Sequence, residues 1–194
     1  MVVDREAFPV LRGECEQAAD TKKRLPDFVF RRSFDSYFAI EHSYIRGKKF
    51  GAFLNALSEL YNDHLVNYMT IQPDPVSYYY DNLHFFGLAS FRLENLEAQY
   101  ASVMPRDGYV DSFFARGGDV GIFWGSSLKW GIFCDRISWE TSVVAISGSV
   151  DVPGISGFRC LDAAMLASYM DSQYHWNLPV AKDFTERFLA NYQL

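Results

Sequence analysis

The chain has 194 residues, of which 49% are hydrophobic and 17% aromatic, and it carries a net charge of −6 at neutral pH. That is enough apolar surface for one packed domain, and it excludes an intrinsically disordered chain. No apolar run reaches the roughly 18 residues of a membrane span, and residues 1–17 are acidic where a secretory leader needs a basic start, so the expected location is the cytoplasm.

Residues 4–23 have helical composition, with Pro9 near the start and Pro26 closing the region. DFVFRRSF (residues 27–34) alternates and reads as a short strand, or as an extended lead-in to DSYFAIEHSYI. In GKKFGAFLNALSELYND, Phe50, Phe53, Leu54, Leu57, Leu60 and Tyr61 recur at spacings of three and four, which predicts an amphipathic helix. HLVNYMTIQ follows with strand residues, and PDPVS breaks the chain. YYYDNLHFFGLASF fits either a strand or a helix begun at Asp74-Pro75. SFRLENLEAQYASVM reads as a helix with Phe91, Leu93, Leu96, Tyr100 and Met104 as its apolar set, ended by PRDG.

From Asp119 the period changes to two. Val120, Ile122 and Trp124 alternate with Gly121, Phe123 and Gly125, and the pattern repeats around Trp130 and again from Ile137 to Ala145. GSSL and CDRI mark the turns of a three-stranded antiparallel meander over residues 119–147. The triplet Gly-Ile-Phe at 121–123 and 131–133 recurs because each ten-residue unit is a strand plus a turn. A strand glycine admits a neighbouring ring or backbone at close range. A glycine-, proline- and serine-rich loop at 148–157 precedes two C-terminal helices within 158–194. The expected fold is α+β: a single domain of helical or mixed structure over 1–118, the meander, and the C-terminal helices, with helices packed on one face of the sheet.

Catalytic signatures are missing. The sequence has no GxSxG, no GxxxxGK[ST] and no HExxH. GGDVG at 117–121 leads into a strand and does not open a helix, so it does not read as a phosphate cradle. The four histidines are far apart, and Cys15, Cys134 and Cys160 form no CxxC. Neither a zinc site nor a disulfide framework is expected, and no cofactor is implied. Cys134 shares the alternating face of Trp130 and Ile132, which reads as a buried, inert thiol.

Charge is uneven along the chain. Residues 1–50 carry a net of +2 and residues 51–194 a net of −8, with no Lys or Arg between Lys49 and Arg92. An acidic surface repels nucleic acid and attracts basic partners. Two clusters suit a partner surface. One is Asp74, Tyr78, Tyr79, Tyr80 and Asp81, since three successive tyrosines cannot all point inward. The other is the charged turn Asp135, Arg136 and Glu140, which rims an aromatic surface built from Trp124, Trp130 or Trp139.

The meander W-G-I-F-C-D-R-I-S-W-E, in a compact acidic chain poor in motifs, resembles the immunity proteins of bacterial toxin systems. The resemblance implies a one-to-one complex with a basic toxin domain, which the chain would block. Two other readings stay open: a hydrolase using His84 or His175 with Asp81 or Asp171, and a structural or adaptor subunit with the meander buried in its interface.

Overall fold

The computed structural model of the chain describes residues 5–45, 47, 49–103, 119–149 and 160–194. Met104, the PRDG stop, the first two glycines of GGDVG, and residues 150–159, which hold most of the expected loop and the first residues of the expected C-terminal helices, lie outside them.

Helix α1 (Phe8–Ala18) begins at Pro9, which suits a first turn because a proline ring presets the backbone there. After an extended stretch come β1 (Ser36–Glu41) and a one-turn helix α2 (His42–Ile45). The predicted amphipathic helix is α3 (Lys49–Tyr61), with Phe50, Phe53, Leu54 and Leu57 buried. Strand β2 (Leu65–Gln72) leads into a π-helical turn, Pro75–Tyr80, and the short α4 (Asp81–Leu83). The ambiguous aromatic stretch therefore divides: its first half is helical and its second half forms β3 (Leu88–Arg92). Helix α5 (Leu96–Val103) follows a 3-10 turn.

The meander is present as β4 (Val120–Gly125), β5 (Trp130–Asp135) and β6 (Thr141–Ile146). Arg136–Trp139 is a one-turn helix, α6, where the alternation from Ile137 predicts the start of the third strand. The carboxylate of Asp135 accepts the Ser138 amide and caps that turn. Helices α7 (Ala163–Gln173) and α8 (Leu178–Tyr192) complete the fold.

The six strands form one antiparallel sheet in the order β1-β6-β5-β4-β2-β3. The α+β class stands, and helices cover both faces of the sheet. One face carries Ile122, Trp124, Phe133 and Val143 against α1, α7 and α8. The other carries Phe123, Trp130, Ile132 and Val144 against α3 and α5. The cause is visible in the strands: every residue of β4, β5 and β6 is buried. A single helical layer would leave half of that apolar surface in water. The extended segment 27–34 adds no strand to the sheet, and only Phe30 forms an isolated bridge, to Ala19.

Two glycines of the meander admit close neighbours. A side chain at Gly121 would collide with the ring and hydroxyl of Tyr68. A side chain at Gly125 would collide with Asp63 and the indole of Trp130. Asp63 is itself buried at the start of β2. It accepts the Trp130 indole N–H at 2.7 Å, the Ser127 amide at 2.5 Å and the Ser126 hydroxyl at 3.2 Å. One carboxylate thus satisfies a core tryptophan and closes the β4–β5 turn.

Asp63→Ala strands the buried Trp130 indole N–H and two part-buried donors and is expected to cost about 3 kcal/mol, a fall in melting temperature of about 6–12 °C. Calorimetry of the variant checks this. A loss below about 2 °C would show that the carboxylate is not the clasp of the hairpin.

Candidate functional site

Strand register decides which predicted residues share a surface. Gln72 pairs with Val120, Val120 with Asp135, and Asp135 with Thr141. The tyrosine segment after β2 and the charged turn after β5 therefore emerge at the same end of the sheet. Asp119 lies between them: it forms an ion pair with Arg136 Nη1 at 3.7 Å, and its charge adds to burial and to Tyr78 in raising the pKa of Tyr79.

Within the tyrosine segment, Asp74 caps the π-helical turn. Its Oδ1 accepts the amides of Val76 and Ser77 at 2.9 and 2.7 Å. Burial opposes ionisation of Asp74, and these amides with the Ser77 hydroxyl outweigh it, so the carboxyl sits below its ordinary pKa. The three tyrosines fan out. Tyr79 is buried beside Phe85, while Tyr78 and Tyr80 are half-buried. Tyr80 stacks on Phe86 at 4.5 Å, and Phe86 stacks on Phe8 at 4.1 Å. Asp81 is exposed.

Three residues expected on the partner surface are withdrawn from it. Trp124 and Asp135 are fully buried and Tyr79 is 1% exposed. Trp124 fills the first helical face and donates its indole N–H to Glu14 at 3.2 Å. Asp135 is spent on the cap of α6. Arg136 and Trp139 remain half-exposed, and Glu140 is exposed in a left-handed conformation.

Trp139 leads to residues that the sequence pattern did not single out. Its ring packs on Phe184 at 4.3 Å and on Tyr174 at 5.4 Å, and Tyr174 reaches Trp176 at 6.0 Å. The Tyr174 hydroxyl donates to the Ser138 carbonyl at 2.5 Å, and the Tyr169 hydroxyl donates to the Glu140 carbonyl at 3.0 Å, tying the α7–α8 corner to α6. Trp176 is 70% exposed. Ile137, Leu178 and Val180 are exposed in the same two elements. Helix α8 buries Ala181, Phe184, Thr185, Phe188 and Tyr192 along one stripe, and Leu178 and Val180 flank that stripe in its first turn. Among the described residues, most of the exposed large apolar side chains gather at this corner. Asp171, Glu140 and the Asp119–Arg136 pair supply charge around it.

Of the residues of the hydrolase reading, His84 and His175 are exposed, and neither they nor Asp81 and Asp171 line the cavities at Asn55–Glu97 and Phe28–Gln193. Burial pushes the thiols of Cys15 and Cys134 far above their ordinary range, and that of Cys160 up to about 12. Among the described residues no group of three His, Cys, Asp or Glu side chains could hold a metal. The meander strands, which the adaptor reading places in a subunit interface, are covered on both faces by this chain's own helices.

Asp135 sets a pH dependence. Its carboxyl is buried, and burial raises its pKa against the opposing Ser138 bonds, the Arg24 charge and the Leu25 backbone. A carboxyl whose folded pKa lies above its unfolded value favours the fold while protonated and loses that contribution as pH rises from the ordinary carboxylate range through the raised folded value. Melting temperatures of wild type and Asp135→Asn, compared at pH 4 and pH 7, are therefore expected to shift in favour of the variant at the higher pH. A shift in favour of wild type would contradict the assignment. Comparison of the chain with protein-family models, with curated proteins and with solved structures returns no match.

Proposed function

We propose that the chain is a protein-binding inhibitor of the immunity type, a cytoplasmic bacterial protein that neutralises a cognate toxin by direct complex formation. The observation that carries this reading is the corner formed by Ile137, Trp139, Tyr174, Trp176, Leu178 and Val180, where apolar side chains stand exposed on a rigid support. Tryptophan and tyrosine at the centre of a contact dominate binding energy, because they bury large areas at low entropic cost. A rim of charge excludes water from such a centre and fixes its register.

Charge supports the choice of partner. The chain carries −6 overall, and Asp81, Glu140 and Asp171 are exposed at or beside this end of the sheet. An acidic inhibitor meets a basic toxin domain faster than a neutral one would, and the gain falls with added salt. No helix among the described residues is long and apolar enough to cross a membrane.

The test is binding to a cognate toxin domain. Trp176→Ala is expected to weaken the complex by about 30-fold or more, chiefly through faster dissociation. The folded state should be unaffected, since the side chain is 70% exposed. Asp81→Lys with Asp171→Lys should slow association at low salt and leave dissociation nearly unchanged. Unchanged affinity in Trp176→Ala would remove the corner from the contact.

A further inference from the structure

The sheet has two outer strands, β1 and β3, and their open sides are closed differently. On β3, the side chain of Gln99 accepts the Arg92 amide and donates to the Arg92 carbonyl, both at 3.1 Å. That side-chain amide stands in for the peptide group of a further strand, one way in which a fold blunts an edge. On β1, the Leu161 amide donates to the Ala39 carbonyl at 2.8 Å, in an isolated antiparallel bridge. Ala39 therefore turns its backbone groups away from β6. Groups that face one side recur at every second residue, so Tyr37 turns its N–H and C=O the same way. Among the described residues, no strand or bridge pairs with Tyr37 on that side.

A cavity of about 400 Å³ opens against this stretch of edge and the last turn of α8. The uncharged polar side chains of Ser33, Ser36, Asn191 and Gln193 line it. Phe28, Tyr37 and Phe38 also line it and are half-buried, while Phe34 and Tyr192 are buried. Asn191 donates to the Pro26 carbonyl at 2.8 Å, which holds its amide in place. Asp35 is the one carboxylate, and it accepts the Gly148 amide. No Lys, Arg or His lines the cavity.

This lining selects by hydrogen bonding. An anion finds no cation here, and a cation finds one exposed carboxylate that is already engaged. A wholly apolar ligand would desolvate the Tyr37 backbone pair and four polar side chains with no compensating bond. A peptide backbone both donates and accepts along an extended line, and so matches the outward pair of Tyr37. Leu161 already adds one residue to this edge at Ala39. We infer that the open edge of β1 at Tyr37 takes an extended, uncharged segment of a partner protein as an added strand. The hydroxyl and amide side chains of the cavity then meet the polar side chains of that segment. The inference stands independently of the proposed inhibitor function, which rests on the aromatic corner.

The experiment is an NMR titration of the full chain with the blocked pentapeptide Thr-Val-Ser-Val-Thr and two N-methylated forms of it. Methylation of alternate amides leaves one side of the peptide able to pair, and methylation of every amide leaves neither. The parent peptide is expected to give a saturable shift of the Tyr37 amide and to slow its hydrogen exchange by about tenfold or more. The Ser36 and Phe38 amides, which face β6, should exchange as before. The alternately methylated form should bind within about threefold of the parent, and the fully methylated form about tenfold more weakly or worse. Equal binding of the fully methylated form, absence of saturation, or unchanged exchange of the Tyr37 amide at saturation would overturn the inference. Protection of that amide that needs no peptide and grows with protein concentration would assign the edge to a second copy of this chain, and would overturn it too. Every arm uses the wild-type chain, so the outcome does not depend on a variant that folds.

Discussion

Every position of the three meander strands is buried, and this two-sided burial organises the molecule. A sheet with one wet face needs one helical layer. This one needs two, and the chain recruits them from both ends and from the middle: α1, α7 and α8 on one face, α3 and α5 on the other. Trp124 and Trp130 are consumed on opposite faces. Each contributes about 4–6 kcal/mol of burial at most, on about 150–250 Å² of side chain. The aromatic richness of the meander is thus largely a packing requirement.

The two ends of the sheet are finished differently. At the β4–β5 turn, Asp63 meets three donors and the clasp is complete. At the β5–β6 turn, Asp135 caps α6 through the Ser138 amide, and the Arg24 charge and the Leu25 backbone also favour its charged form against burial. This end carries the exposed aromatic corner.

The period-two alternation made the meander legible, and the three-four spacing made α3 legible, because each follows from backbone geometry alone. Alternation did not reveal that both faces are covered, since Gly121, Phe123 and Gly125 look like the outward set until Tyr68 and Asp63 are seen to fill the space above two of them. Trp139 reads from alternation as a strand residue and not as part of a helix, because the cap depends on Asp135 turning inward. The three tyrosines declared that they could not all be buried, and Tyr79 is the one that is. Trp176 was overlooked in HWNLP, read as the link between two helices. A tryptophan just before a helix whose buried stripe begins at Ala181 was the signal available. The cavity beside β1 unites residues some 160 positions apart, a closure that only the tertiary fold supplies.

The central claim is that packing consumes Trp124 and Trp130 and leaves Trp176 standing free at the corner, beside half-exposed Trp139. Acrylamide quenching of tryptophan fluorescence tests it most directly, in the wild type and in the double variant Trp139→Phe, Trp176→Phe. The accessible fraction should belong to Trp176, exposed by 70%, with a smaller part from Trp139, and should vanish in the double variant, while the emission of buried Trp124 and Trp130 persists unquenched. An accessible fraction that survives both substitutions would place Trp124 or Trp130 at the surface and contradict the two-layer account.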